Sequence, residues 1–192
     1  MAATRSASTQ NTVLVAVFAA IIAALGIVPP ITVGVLPVPI TLQTLGVMLA
    51  GALLGAWRGM LSALVFVVLA VAGLPILAGG RGGFGVFLGP TGGYLVGFIF
   101  GAFVVGLLVQ RWAIKRENIV LRHLCVGAST IVGGIGVVYA FGIPWTSLSA
   151  GLSLGTSLSG SLVFLPGDLL KATVATLVAV RIHGSYSRLL DA

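Results

Sequence analysis

Long uncharged stretches separate the charged residues of this chain, and this spacing restricts the possible fold more than any other feature. No Asp, Glu, Lys or Arg lies between Arg5 and Arg58, between Arg81 and Arg111, or between Arg122 and Asp168. About 20 apolar residues suffice to cross a hydrocarbon core as a helix. Only 7% of the residues are charged, against about 25% in soluble domains. The chain is therefore predicted to be an all-α integral membrane protein with one domain over residues 1–192.

Apolar runs separated by Gly and Pro predict a bundle of six transmembrane helices. The predicted helices cover about 11–28, 41–56, 60–77, 92–110, 120–142 and 167–183. The segments after the second, fourth and sixth helices are short or basic, whereas the other three connections are long, apolar and rich in Gly, Pro or Ser. Irregular backbone at membrane depth needs polar partners or a water-filled space. We therefore expect the three apolar loops to fold back over a cavity.

The distribution of Lys and Arg predicts the orientation of the bundle. Eight basic residues fall on the side of both termini: Arg5, Arg58, Arg111, Lys115, Arg116, Arg122, Arg181 and Arg188. Arg81 lies in a loop on the other side, and Lys171 lies within a predicted helix. Since basic residues favour cytoplasmic loops, both termini of this multi-pass cell-membrane protein are expected in the cytoplasm. The net charge of +7 then follows from orientation, and no nucleic-acid partner is expected.

Two opposite charges stand at the head of the last predicted helix, in the stretch FLPGDLLK. Asp168 and Lys171 are three residues apart and so lie on adjacent faces of the helix. The simplest alternative is a capping Asp with a Lys that extends to the membrane surface. A Lys at the outer, positive end of a helix opposes both the dipole and the orientation rule. The pair is therefore a candidate substrate site.

Other polar side chains are predicted at the same outer level. They are Thr41, Gln43 and Thr44 at the start of the second helix, and Arg81, Thr91 and Tyr94 around the start of the fourth. Each has an ordinary alternative, since Gln and Thr bond neighbouring helices, Arg lies on surfaces and Tyr anchors at membrane interfaces. Their convergence at one depth, beside Gly-rich backbone, favours a binding cavity.

The sequence contains no catalytic or metal-binding constellation. Both His123 and His183 fall on the predicted cytoplasmic side, Cys125 is the single cysteine, and neither an H-E-x-x-H helix nor a P-loop is present. The chain is therefore predicted not to be an enzyme and to need no metal or cofactor. Any energy from ATP must come from another subunit, because the chain lacks the P-loop that would bind the nucleotide.

Alanines recur at four-residue spacing along the first predicted helix. Ala16, Ala20 and Ala24 form one stripe, with Ala19 and Ala23 alongside. Stripes of small residues let helix backbones approach closely. The glycines of the fourth helix are expected to pack inside the bundle, whereas the alanines could equally dock a different membrane protein.

Three blocks of this sequence resemble the BioY family, the biotin-binding membrane subunits (S components) of energy-coupling factor transporters. The blocks are PVPITLQTLGVMLAGALLGAWRG, GPTGGYLVGF and FLPGDLLK, and the resemblance spans residues 11–183. It implies six membrane helices and an outward pocket capped by loops. It also implies that the first helix docks on a transmembrane coupling subunit, which works with two cytoplasmic ATPase subunits. The docking motif fits Ala16 and Ala20, or else Ala19 and Ala23.

The resemblance implies biotin as the transported ligand. Biotin carries a ureido group with two N–H donors and one carbonyl acceptor, an apolar ring and chain, and a carboxylate. Asp168 would accept from the ureido N–H groups and Lys171 would donate to the carbonyl. Tyr94 and Phe84 would contact the rings, and Arg81 or Gly-rich backbone would meet the carboxylate.

Thr41 and Gln43 are predicted to complete this pocket. Two alternatives remain open for the function: the same fold could bind a different vitamin, or the bundle could serve as a scaffold subunit without a ligand.

Overall fold

The computed structural model describes residues 2–32, 37–113 and 116–185, except for the side chains of residues 2–8. Its helices are α1 (Ala2–Ala24), α2 (Gln43–Leu54), α3 (Ala56–Val71), α4 (Phe84–Leu88), α5 (Gly92–Leu108), α6 (Ile119–Ile131), α7 (Val138–Ala150), α8 (Leu154–Ser161) and α9 (Leu165–Ser185). The described residues form no β-strand beyond two isolated β-bridges, Ile31 with Ile40 and Leu77 with Arg81. The predicted all-α class is confirmed. Lys115, Arg188 and the side chain of Arg5 lie outside the described part.

Short π- and 3₁₀-helical segments join several helices into long apolar units. The π-helical segments are Val109–Ala113 and Val132–Val137, and the 3₁₀ segment is Leu162–Phe164. The resulting units 92–113, 119–150 and 154–185 are long and apolar enough to cross a membrane. Three other apolar helices are shorter than these units: α2, α3 and the apolar part of α1.

The serine-rich segment after Gly142, predicted to be a loop, is largely helical. α7 continues through Pro144 to Ala150 and ends at Gly151, whose φ is 65°. α8 then begins behind Ser153, whose hydroxyl accepts the backbone N–H of Thr156. Ser and Thr favour helix starts because their side chains can satisfy such free N–H groups. The serines therefore cap this helix rather than disrupt it.

α2 and α3 form a tight hairpin with Gly55 as its only connecting residue. The φ of Gly55 is 82°, which glycine adopts at little cost. Arg58, predicted in a loop, is buried in the first turns of α3 and donates to Leu54 O at 3.0 Å and to Asn11 Oδ1 at 3.1 Å. This side chain therefore ties α1 to the hairpin.

Glycines allow α5 to approach its neighbours closely. Gly93, Gly97 and Gly101 are buried, as predicted for the interior of the bundle. A Cβ at Gly97 would lie 2.9 Å from the backbone of Val138, closer than two packed carbon atoms approach. Backbone-to-backbone contact therefore fixes α5 at the centre of the fold, against α2, α3 and α7.

Substituting Gly106 with Ala is expected to destabilise the protein by about 1–3 kcal/mol, the usual cost of overpacking. A Cβ there would overlap the backbone of Gly55 and Ala56, which cannot rotate away. Gly127→Ala is the matched control, because its Cβ would lie 3.6 Å from the Thr176 hydroxyl, an ordinary contact. Thermal unfolding in detergent checks the pair. Equal midpoints for the two variants would contradict the packing argument.

Candidate functional site

A cavity lies where α2, α5 and α9 begin, beneath the α1–α2 and α3–α4 connections. Its volume is about 50 Å³, smaller than the roughly 300–1,000 Å³ of pockets that hold drug-sized ligands. Of the seven side chains predicted for the substrate site, all except Phe84 line it: Thr41, Gln43, Arg81, Tyr94, Asp168 and Lys171. The structure therefore brings together residues that are up to 130 positions apart in the chain.

Asp168 and Lys171 form a buried ion pair in the first turns of α9. Lys171 Nζ donates to Asp168 Oδ1 at 2.8 Å, and the two residues are 6% and 3% exposed, respectively. Leaving either charge alone in such a place would be costly. Lys171 does not extend to the surface, so the alternative of a Lys that only reaches for the interface does not describe this geometry.

Two hydroxyl groups form further hydrogen bonds with this pair. Thr44 Oγ1, on α2, accepts from Lys171 Nζ at 3.0 Å and donates to Asp168 Oδ1 at 3.2 Å. Tyr139 OH, on α7, donates to Asp168 Oδ2 at 2.8 Å. Three helices thus meet at one carboxylate. Hydrogen bonds to a charged group of this kind are stronger than those between neutral groups.

Sequence reasoning did not find Tyr139. One signal for it was present, since a tyrosine within a long apolar span needs a partner for its hydroxyl. The direction of its side chain, however, depends on the π-helical segment Val132–Val137, which ends two residues before Tyr139. A π-turn inserts an extra residue and so rotates the side chains that follow. The regular α-helical period of the sequence could not indicate that rotation.

The partners that the described residues supply leave one donor and one acceptor position of the ion pair free. A carboxylate offers about four lone-pair sites and an ammonium three N–H donors. Lys171, Thr44 and Tyr139 occupy three of the sites on Asp168. Asp168 and Thr44 use two of the donors on Lys171. A neutral group that carries both a donor and an acceptor can therefore bind the pair without breaking it.

Aromatic side chains form the wall beside the ion pair. The Tyr94 ring meets those of Tyr139 and Phe164 edge to face, with centroids 6.3 and 6.4 Å apart. Ser161 donates its hydroxyl proton to Ser157 O at 2.7 Å, so Tyr94 OH is the donor in its 2.9 Å bond to Ser161 Oγ. Tyr94 is thus held in one orientation, with its ring against the cavity.

Gln43 supports the irregular backbone around the cavity. Its amide nitrogen donates to Ile76 O at 3.1 Å and to Ile22 O at 3.4 Å, and its amide oxygen accepts from Ala78 N at 3.3 Å. Non-helical backbone among apolar helices needs such partners. Gln43 therefore joins α1, α2 and the α3–α4 connection. Most of the hydrogen-bonding capacity of its side chain is used in these bonds to the protein backbone.

Arg81 and Phe84 follow each other closely in the chain but lie in different places. Arg81 Nε donates to Ala78 O at 3.1 Å, and the side chain lines the cavity. Phe84 is 60% exposed and stacks on Phe87 with centroids 6.2 Å apart, outside the cavity. With Arg81, Lys171 and Asp168, the lining of the cavity has one excess positive charge, which suits an anionic ligand group.

The Gly-Pro-Thr-Gly-Gly block before Tyr94 is fastened to α7. Trp145 Nε1 donates to Gly89 O and Thr146 Oγ1 donates to Pro90 O, both at 2.9 Å. A Cβ at Gly93 would overlap the Trp145 side chain and the backbone of Phe141. These contacts account for glycine in the block, and they position Tyr94 one residue later.

The two alanine registers of α1 differ in exposure. Ala16, Ala20 and Ala24 are exposed, whereas Ala19 is 5% exposed and belongs to the core. Ala23 is partly buried and packs against the same core. Only the first stripe is therefore open to another protein.

Comparisons with known proteins agree in the family that they indicate. The model of the BioY family matches residues 1–188. A protein of Rhizobium etli named biotin transporter BioY is 48% identical over 179 residues, covering 93% of this chain and 96% of that protein. A protein of Rhodobacter capsulatus with the same name is also 48% identical, covering 88% of this chain and 91% of that protein.

A solved structure shares the fold. It is described as the S-component for biotin from an ECF-type ABC transporter, and it superimposes with a TM-score of 0.84 at 36% sequence identity. The match covers 93% of each chain. Sequence and fold therefore agree over nearly the whole molecule.

Proposed function

This chain belongs to the BioY family, and on that basis we propose that it is the biotin-binding membrane subunit, or S component, of an energy-coupling factor transporter. It is a transporter subunit and not an enzyme. The observation that carries the proposal is the buried Asp168–Lys171 pair. The described residues leave one acceptor and one donor position of this pair free, in a cavity with aromatic walls and an excess positive charge. Biotin has a ureido group for the ion pair, an apolar ring for the walls and a carboxylate for the excess positive charge.

The ureido group of biotin binds at the ion pair in this proposal. One ureido N–H donates to the free site on Asp168, and the ureido carbonyl accepts from Lys171. Each hydrogen bond to a charged group contributes about 1.5–3 kcal/mol. Thr44 and Tyr139 hold both charged side chains in place, so little reorganisation is needed on binding.

The rest of biotin fits the remaining lining. Its apolar ring contacts Tyr94 and Phe98, and its carboxylate pairs with Arg81. Thr41 also lines the cavity, and Gln43 holds the α3–α4 connection through its bond to Ile76 O. Phe84 belongs to the exposed α4, so it reaches the ligand only if α4 moves inward. Because the cavity measures about 50 Å³, biotin enters only when the connections above it move apart.

The helices cross the membrane six times in this proposal, with both termini in the cytoplasm. Five described arginines support this orientation: Arg58, Arg111, Arg116, Arg122 and Arg181. They lie near helix ends opposite the cavity, and such residues favour the cytoplasmic side. The cavity then opens to the outside. α2 has 12 residues, or about 18 Å of helix, so extended segments held by Gln43 complete its crossing.

The exposed stripe of Ala16, Ala20 and Ala24 docks on the transmembrane coupling subunit. Its small side chains permit close helix contact, and the exposure of this stripe favours it over Ala19 and Ala23. Two cytoplasmic ATPase subunits power the complex.

Isothermal titration of the purified protein with biotin tests the function. We expect saturable heat with biotin, weaker binding of biotin methyl ester because it lacks the charge that pairs with Arg81, and none with riboflavin or thiamine. Saturable heat with another vitamin alone would change the substrate but keep the fold. The absence of any ligand would favour the scaffold alternative.

Tyr139→Phe is expected to weaken biotin binding about five- to tenfold. The variant removes the hydroxyl that donates to Asp168 Oδ2, and losing such a bond costs about 1–1.5 kcal/mol, or up to about tenfold in Kd. Thr130→Val is the control, since it removes a buried hydroxyl bonded to Gly127 O, away from the cavity. Equal biotin affinities for the two variants would remove Tyr139 from the site.

A further inference from the structure

A second space, separate from the cavity, runs between α6 and α9. This groove has a volume of about 290 Å³. Residues at four-residue spacing form its two sides: His123, Gly127 and Ile131 on α6, and Leu169, Thr173 and Leu177 on α9. From His123 to Ile131 the groove is about 12 Å long, at 1.5 Å per helical residue. None of its lining residues lines the cavity.

Apart from His123 at one end, whose Nδ1 bonds to Ile119 O at 2.8 Å, the walls of the groove are largely apolar and open outward. Ile131 and Leu177 are 44% and 53% exposed. Thr173 Oγ1 donates to Leu169 O at 2.9 Å, and Thr176 Oγ1, on the floor, donates to Ala172 O at 2.7 Å. Since both hydroxyl protons are used within α9, the groove suits a hydrocarbon chain and not a polar ligand.

Two arginines lie at one end of the groove. α6 and α9 are antiparallel, because Thr130 Oγ1 lies 3.4 Å from Thr176 Oγ1, and Val126, earlier in α6, shares a core cluster with Val180, later in α9. A Cβ at Gly127 would lie 3.6 Å from the Thr176 hydroxyl, so these two residues are opposite each other. Arg122 lies five residues before Gly127 on α6, and Arg181 lies five residues after Thr176 on α9. Because the two helices are antiparallel, these arginines lie at the same level.

Neither arginine has an acidic partner in the part of the chain that the structure describes. Among the described residues the only ion pair joins Lys171 and Asp168. Arg122 donates to the backbone oxygen of Arg116 at 2.9 and 3.1 Å, which orients its guanidinium without neutralising it. Two like charges at one level repel each other unless an anion lies between them. The end of the groove is therefore suited to bind an anion.

We propose that the groove holds an acyl chain of an acidic phospholipid whose phosphate lies between Arg122 and Arg181. Guanidinium groups bind phosphate through paired hydrogen bonds, and basic sites between membrane helices on the cytoplasmic side favour anionic headgroups. The proposal rests on α6 and α9 spanning the membrane with these arginines inside. It does not depend on biotin as the substrate.

Charge and size disfavour a second copy of this chain as the occupant. A parallel copy in the same membrane would bring its own Arg122 and Arg181 to the same level. A 12 Å length of helix about 10 Å across also takes up on the order of 900 Å³, more than the groove offers.

Native mass spectrometry tests the proposal. The full chain in detergent is mixed with equal amounts of phosphatidylglycerol and phosphatidylcholine that carry identical palmitoyl-oleoyl chains. We expect at least threefold more bound phosphatidylglycerol. Gly127→Ile fills the groove and should lower total bound lipid at least threefold, and Ala128→Ile, at an exposed position next to it, should not. The double variant Arg122→Gln/Arg181→Gln should lose the preference for phosphatidylglycerol, whereas Arg111→Gln should keep it.

Several outcomes would overturn this assignment. They are equal retention of the two lipids by the unsubstituted protein, unchanged lipid in Gly127→Ile, or displacement of the lipid by soluble glycerol phosphate, which would assign binding to the headgroup alone. A dimer that Gly127→Ile abolishes would assign the groove to a second copy. Biotin titration of the same samples shows that the variants are folded, and it keeps a failure here distinct from a failure of the biotin proposal.

Discussion

Asp168→Asn is expected to weaken biotin binding about 100-fold. The substitution removes the charged acceptor for the ureido N–H and leaves Lys171 buried with Thr44 as its described partner. Losing one bond to a charged group costs about 1.5–3 kcal/mol, and misplacement of the unpaired Lys171 weakens its own bond to the ligand. Together these losses approach the roughly 2.8 kcal/mol that corresponds to 100-fold in Kd. Isothermal titration with biotin measures the effect.

A second variant separates binding from folding. Breaking a buried pair on one side destabilises a protein, whereas replacing both charges is often neutral. Asp168→Asn/Lys171→Met should therefore unfold at a higher temperature than Asp168→Asn and still fail to bind biotin. Thr173→Val, at an exposed position on the same helix, should bind normally. Unchanged biotin affinity in a folded Asp168→Asn protein would remove the pair from the site.

Ala20→Trp is expected to reduce co-purification of the coupling subunit at least tenfold and to leave biotin affinity within twofold. Ala20 is exposed on α1, whereas its neighbour Ala19 belongs to the core. A large ring there prevents close helix approach without entering the bundle or the cavity. Pull-down of the coupling subunit with tagged protein measures the effect.

Ala128→Trp is the matched control for the docking face. Ala128 is an exposed alanine on α6, so the substitution adds the same ring to a different lipid-facing helix. It should not alter recovery of the coupling subunit. Recovery that is equal for Ala20→Trp and the unsubstituted protein would show that this face of α1 does not dock.

The sequence was informative where a residue type was costly in its surroundings. Asp168 and Lys171 could be singled out because charges are rare within apolar helices, and the structure places them in one ion pair. Tyr139 was missed because the π-helical segment before it changes the face on which it lies. The α7–α8 region was misjudged because Ser153 caps a helix there, although serine clusters usually indicate loops.

The alanine stripes show a different limit. The four-residue spacing on α1 fits Ala16 with Ala20 and Ala19 with Ala23 equally well. Side chains on neighbouring helices decide between them, since the core closes over Ala19 and leaves Ala20 exposed. A periodic pattern defines a set of faces, but burial by distant segments selects the face that remains free.

The sequence by itself determined the class of this protein. Its uncharged stretches require helices in a membrane, its arginines predict an orientation, and its charge pair marks a candidate site. Each of these conclusions depends on the cost of moving single residues between water and hydrocarbon, which is a local property.

Only the tertiary structure decided how the site is built. Thr44 and Tyr139 bond Asp168 from two other helices, Gln43 supports the connections above the cavity, and Phe84 lies outside it. Hydrogen bonds have a narrow range of length and angle, so their partners depend on how α2, α7 and α9 cross. The glycine contacts of α5 set part of this arrangement, since they bring its backbone against α7 and against the Gly55–Ala56 junction of the α2–α3 hairpin, an approach that no single stretch of sequence specifies.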